Sequence, residues 1–227
     1  MILNYKMCDP RTNGELFFVN TIMDNINVIF DVGCSNNSDF IDIKKEVHYF
    51  DPNLLFIEEL KTKKNKNKNS YFNPVGLHNK TTTLYYYPRY QSLFDRIQSC
   101  SISDDQNKIE VNVKNGKEYL LENNITDIDF LKIDTEGNEL NVLEGFEDLL
   151  NRIKIIQFEY GGTYLDSNIR LKDVVEYLKK YNFNNFYYIM PNGLKPINNY
   201  TDHYGYSNII AINDSYYESI IEKIRIV

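Results

Sequence analysis

Four apolar runs in this chain close on an acid: Val28-Ile29-Phe30-Asp31, Val47-His48-Tyr49-Phe50-Asp51, Phe130-Leu131-Lys132-Ile133-Asp134 and Ile155-Ile156-Gln157-Phe158-Glu159. An unpaired carboxylate gains nothing from lying beside a core, so acids at four such ends are more than burial requires. The first run continues into Gly33-Cys34-Ser35-Asn36, a tight turn in which a ligand can lie against backbone with no Cβ in the way. Asp51 comes eighteen residues after Gly33, where a carboxylate can accept both hydroxyls of a ribose. A pyrophosphate is disfavoured, because the G-x-G-x-x-G loop that cradles one needs three glycines and only Gly33 is present. A nucleoside ligand without phosphates, S-adenosylmethionine among them, asks less of the loop.

These residues need a scaffold that gathers strand ends. Consecutive apolar residues without alternation read as strands buried on both faces, the kind found in parallel sheets. In open α/β sheets the ligand crevice lies outside the carboxyl ends of the strands. That rule places Gly33, Asp51, Gly76 to His78, Asp134 to Gly137 and Glu159 to Gly162 on one rim. An antiparallel last strand would open the loop Pro191 to Tyr206 on the same rim, with Lys195, His203, Tyr204 and Tyr206. The expected fold is α/β, a doubly wound, mostly parallel sheet with an antiparallel last strand. Residues 27–227 form the main domain, and residues 1–26 an N-terminal arm and a helix capped by Asn13.

Between the strands, periodicity predicts helices over Ser38 to Lys45, from Asn53 onward with Leu54, Leu55, Ile57 and Leu60, over Gly116 to Asn124, and over Leu171 to Tyr181. A long helix after Gly137 should turn Leu140, Val142, Leu143, Phe146, Leu149 and Leu150 inward. Tyr71 to Val75 reads as an edge strand because of Pro74, and Gly76-Leu77-His78-Asn79 closes it. Residues 88–108 are an aperiodic loop with Arg89, Ser92 and Arg96, and loops of that length in compact domains are commonly functional.

Composition narrows the classes. A net charge of -7 and a pI near 5.1 disfavour nucleic acid as a partner, since such proteins carry surplus Lys and Arg. The tract Lys61 to Asn69 is basic but has no interleaved aromatics for stacking, so a solvated loop is preferred. Three scattered cysteines, Cys8, Cys34 and Cys100, make neither a disulfide framework nor a metal pair and point to a reducing, cytoplasmic setting. No apolar run approaches the ~18 residues of a membrane span, and no signal-peptide pattern opens the chain.

The segment Ile128-Asp129-Phe130-Leu131-Lys132-Ile133-Asp134-Thr135-Glu136-Gly137-Asn138-Glu139-Leu140-Asn141-Val142-Leu143-Glu144-Gly145 resembles the K-I-D-x-E-G-x-E-x-x-V-L-x-G signature of FkbM-type methyltransferases. Asp31-Val32-Gly33-Cys34-Ser35-Asn36 is similar to that family's first motif without its second glycine. Phe50-Asp51-Pro52-Asn53 is similar to F-E-P-N with Asp for Glu, and Ile156-Gln157-Phe158-Glu159 to the strand ending in Glu. The resemblance spans about residues 27 to 213. It implies a class I Rossmann-like, S-adenosylmethionine-dependent O-methyltransferase acting on a hydroxyl of a sugar or glycan. On the family pattern Asp51 holds ribose, Asp31 and Gly33 lie by the methionine part, and Gly76, Leu77 and His78 flank adenine. Ser35 and Asn36 are left to meet the cofactor's carboxylate. Asp134, Glu136 and Glu159 face the acceptor as base, as hydrogen-bond acceptors for a polyol, or as oxygen ligands for Mg²⁺.

Each of these residues also has a structural reading. Asp31 could brace the loop after its strand, and Glu136 could belong to a capped helix start. His203 is a candidate base, or a hydrogen-bonded loop residue. Two other functions stay open on sequence alone: a catalytically inactive nucleoside- or glycan-binding protein, and an NAD-dependent oxidoreductase.

Overall fold

A computed structural model describes residues 10–63 and 68–227. Cys8, most of the expected N-terminal arm and the centre of the lysine tract lie outside the described residues. The main sheet has eight strands. Five are parallel, in the order β3 (Ser70–Asn73), β2 (Glu46–Phe50), β1 (Val28–Val32), β7 (Ile128–Ile133) and β8 (Ile153–Tyr160). Beyond β8 come β11 (Ser207–Asn213), β9 (Phe183–Met190) and β10 (Gly193–Pro196), each antiparallel to the strand before it.

Alternate residues of the central strands bury on opposite faces, as the uninterrupted apolar runs require. Phe30, Val32, Leu131, Ile133, Ile156 and Phe158 pack against Val142, Leu143, Phe146, Val174 and Leu178. Ile29, Val47, Tyr49, Phe130 and Ile155 pack against Phe18, Val19 and Ile22 of the helix Glu15–Ile22 and Ile57 and Leu60 of the helix Leu54–Lys63. Each such fully buried side chain stabilises the fold by roughly 1.5–3 kcal/mol. The sheet is thereby wound on both sides. Leu54 and Leu55 stay exposed. Among the described residues, no helix is long and apolar enough to cross a membrane.

Several local expectations are corrected. No helix forms over Ser38 to Lys45. Ser38 instead donates to Asp31 Oδ2 at 2.5 Å and accepts from Phe40 N at 3.1 Å, and Tyr49 donates to the Phe40 carbonyl at 2.9 Å. The long helix after Gly137 is a six-residue helix, Glu139–Glu144, followed by 3₁₀ turns over Glu147–Arg152. Gly145 marks the break: a Cβ there would lie 2.2 Å from the His78 carbonyl oxygen. Of the residues expected inward, Val142, Leu143, Phe146, Leu149 and Leu150 are buried and Leu140 is half-buried against the same core.

Gly14, with φ 104°, takes the N-cap position of the helix Glu15–Ile22 in place of Asn13, whose side chain accepts from Glu15 N at 2.9 Å. Gly76 to His78 does not end β3. It is β4 of a second, three-stranded sheet with β6 (Ile109–Asn115) and β5 (Thr82–Tyr86). The loop 88–108 contains short helical turns at Ile97–Cys100 and Asp105–Asn107. Lys195 lies on β10 at the sheet's outer edge, opposite Tyr188, rather than on the rim.

Candidate active site

At the turn after β1 two strand ends meet. Gly33 has φ 81°, and a Cβ on it would sit 1.8 Å from the Asp134 carbonyl oxygen, so no other residue fits without moving the β7 turn. The Gly33 and Cys34 amides bond to the Phe50 carbonyl at 2.8 and 3.2 Å. Asp51, just beyond β2, is 4% exposed. Its Oδ2 accepts from Ser35 N at 3.0 Å and its Oδ1 from Asn53 N at 2.8 Å. Burial raises its pKa to about 6 against the pull of those two amides. One carboxylate thus fastens the two loops together.

These loops open on a cavity of about 310 Å³. Of the residues singled out by sequence, Gly33, Ser35, Asp51, Gly76, Leu77, Asp134 and Glu136 line it. Glu159, near the end of β8, is not in that wall but abuts two of them: oxygens of Asp134, Glu136 and Glu159 lie within 4.8 Å of one another. Burial pushes Glu159 well above the usual carboxylate range, and the neighbouring Asp134, to which it is hydrogen-bonded, pushes it further. Burial also raises Glu136, helped by Asp134 and opposed by Arg96.

Asp31 is buried on the other face of β1. It stands in register with Lys132 on β7, which is in register with Gln157 on β8. Burial raises Asp31 to about 6, with Lys132 opposing, and its Oδ1 has no hydrogen-bond partner among the described residues. Lys132 lies 3.9 Å from Asp134 Oδ2 and 4.0 Å from Glu15 Oε2. Burial alone would lower it, yet Asp31, Asp134 and Glu15 hold it in the charged form. Glu15 also accepts from Gln157 at 2.7 Å and Asn208 at 2.8 Å, tying the N-terminal helix to the sheet.

Asp31 and Glu159 are outside the cavity wall, and so are three further expected site residues. Asn36 turns away, donating to Glu59 at 2.6 Å. His78 is buried, with Nδ1 unpartnered among the described residues, but is not in the cavity wall. Burial lowers its pKa, as does Lys80. His203 is exposed and outside the wall. Its Nδ1 accepts from Gly205 N at 3.0 Å and its Nε2 meets the Tyr188 hydroxyl at 3.1 Å. With both nitrogens engaged it is poorly placed to take a substrate proton.

Other residues organise the site without having been singled out for it. Arg96 is buried and reaches Glu136 Oε2 at 2.7 Å and Asp166 Oδ2 at 3.4 Å. Ser92 donates to the Glu136 carbonyl at 2.8 Å. Glu139 is 1% exposed and collects the amide and hydroxyl of Thr135, both at 3.0 Å, and the Gly137 amide at 3.1 Å. This clamp holds the turn in which Glu136 adopts φ 55°. The E-x-x-E spacing across Gly137 was its signal in the sequence; Arg96 had none beyond its place in a long loop.

Burial raises Glu139 from 4.5 to about 7. The folded chain therefore keeps this proton longer than the unfolded chain, and the Glu139 contribution to stability falls as pH rises from 4.5 to about 7. Glu139→Gln is expected to flatten that fall, leaving the part due to the other carboxyls that burial raises, Asp31, Asp51, Glu136 and Glu159. Urea midpoints taken at steps across this range check it, and an unchanged slope would contradict it.

A family model described as the methyltransferase FkbM domain matches residues 30–184. No curated protein matches the chain. Among solved structures, the fibrillarin pre-rRNA processing protein of Methanococcus jannaschii is similar over 91% of this chain and 76% of its own, at 13% identity and a TM-score of 0.48. A TehB-like SAM-dependent methyltransferase from Corynebacterium glutamicum is similar over 89% of this chain and 88% of its own, at 12% identity and a TM-score of 0.47. The plantazolicin methyltransferase BpumL in complex with SAH is similar over 87% and 80%, at 10% identity and a TM-score of 0.46.

Proposed function

The chain belongs to the methyltransferase FkbM domain family, and from that premise we propose that it transfers a methyl group from S-adenosylmethionine to a hydroxyl of a sugar or glycan. The observation that carries this reading is that one cavity is lined both by the clamped Asp51 and by Asp134 and Glu136. The residues suit the cofactor. Each Asp51 oxygen accepts one amide and keeps a lone pair for a ribose hydroxyl. Asp31, 1% exposed and outside the cavity wall, would brace the site from the other face of β1 through Ser38. Gly76 and Leu77 would flank adenine, with His78 behind them, and Gly33 and Ser35 would meet the methionine part. Residues 27–227 would form the methyltransferase domain, working in the cytoplasm, where thiols such as Cys34 and Cys100 stay reduced.

When bound, the cofactor supplies an electrophilic methyl on a sulfonium. The protein's task is then to align the acceptor oxygen and take its proton. Asp134, Glu136 and Glu159 do this, and His203, with its nitrogens engaged, is left out. The same trio has the chemistry of a Mg²⁺ site. The Arg96 guanidinium already bonded to Glu136 favours the metal-free role.

Mass spectrometry of the protein incubated with isotope-labelled S-adenosylmethionine and a panel of monosaccharide glycosides should show a labelled methyl ether. Cofactor binding with no methylated product across the panel would instead favour an inactive binding protein.

A further inference from the structure

The cavity is acidic at Asp51, Asp134 and Glu136, yet Arg89 also lines it. The other two cations near the site are committed, Arg96 to Glu136 and Asp166 and Lys132 to its three acids. Arg89 has no carboxylate partner among the described residues, and its guanidinium lies 5.5 Å from the centre of the Tyr90 ring. Its loop is pinned at both ends. A β-bridge joins Tyr87 to Ser92, the Tyr87 amide bonds to the Ser92 carbonyl at 2.8 Å, and Ser92 fastens to Glu136. Arg96 stacks on the same Tyr90 at 5.9 Å.

A guanidinium held over a cavity by an aromatic ring, with all its donors unspent on protein acids, has the fixed fork that binds oxyanions. The acids across the cavity would repel an anion placed beside them. They thereby direct its charge toward Arg89 and its neutral hydroxyl edge toward Asp134. We propose that Arg89, backed by Tyr90, binds an anionic group on the acceptor, so that the substrate is an acidic saccharide bearing a carboxylate or a phosphate. This deepens, and rests on, the sugar methyl-transfer reading.

The test is calorimetric titration of the full chain, first with S-adenosylhomocysteine and then, at saturation, with methyl glucuronoside, glucose 1-phosphate and methyl glucoside. At least one charged sugar should bind about tenfold or more tighter than the neutral one, the range of a charge-assisted hydrogen bond, and the two charged arms tell carboxylate from phosphate. Arg89→Gln should erase the preference while leaving S-adenosylhomocysteine affinity and thermal stability unchanged, and Arg89→Lys should retain part of it. Equal binding of charged and neutral sugars, no binding of either charged sugar, or loss of S-adenosylhomocysteine affinity in Arg89→Gln would overturn the Arg89 assignment. Failure of the wild-type chain to bind S-adenosylhomocysteine at all would overturn the underlying reading instead.

Discussion

Asp51→Ala is expected to lose S-adenosylmethionine binding by about 100-fold or more. On the proposed ribose contact, two hydrogen bonds to a buried carboxylate would disappear together, and bonds to a charged group are worth about 1.5–3 kcal/mol each. The loops lose their fastening as well, since Ser35 N and Asn53 N no longer share a carboxylate. The fold itself should stand. Burial has raised Asp51 from 3.8 to about 6, so at neutral pH its charge is a cost to the folded state that alanine removes. Asp51→Asn separates the two effects, because it keeps one acceptor oxygen and should bind with intermediate affinity. The raised pKa adds a sign: wild-type affinity should weaken as pH falls through about 6, where the carboxylate takes up a proton and one acceptor site is lost. Calorimetric affinities at pH 7.5 and 5.5 measure all of this, and equal affinity in Asp51→Ala and wild type would end the ribose assignment.

What could be read from the residues alone follows from how far each interaction reaches along the chain. β1, β2, β7 and β8 were legible because burial on both faces leaves apolar runs that need no partner to identify them. Their terminal acids followed from the geometry of open sheets. The stretch Ser38 to Lys45 misled because its charges suit a helix, while its conformation is set by Tyr49 and Asp31. The helix break at Gly145 depends on a carbonyl at His78, far away in sequence. Arg96 joins Glu136 and Asp166 across 40 and 70 residues, a pairing no local pattern encodes. Asn36 was placed by its motif, but Glu59 on the next helix draws it out of the cavity.

Glu159→Ala is expected to leave cofactor affinity unchanged and to lower turnover by about 10²- to 10⁴-fold, the usual worth of positioned proton transfer. Its carboxyl, buried and hydrogen-bonded to Asp134, holds its proton well above the ordinary range. Burial and the adjacent Asp134 both favour the neutral form of this carboxyl, since two charges so close repel. On the proposed reaction Asp134 would take the proton of the sugar hydroxyl, with the neutral Glu159 carboxyl fixing its orientation. Glu159→Gln tests this directly, since an amide keeps a neutral donor where the protonated acid stands. It should retain much of the activity that alanine loses, whereas Asp134→Asn should not. The pH profile supplies the sign. The neutral form of Glu159 is present below its raised pKa and lost above it, so wild-type turnover should fall on the alkaline side and Glu159→Gln should lack that fall. A chelator should leave the rate unchanged if the trio handles a proton. A rate lost to chelator and restored by Mg²⁺ would assign the three carboxylates to a metal instead, because an ion held by them would displace the very proton that this mechanism requires.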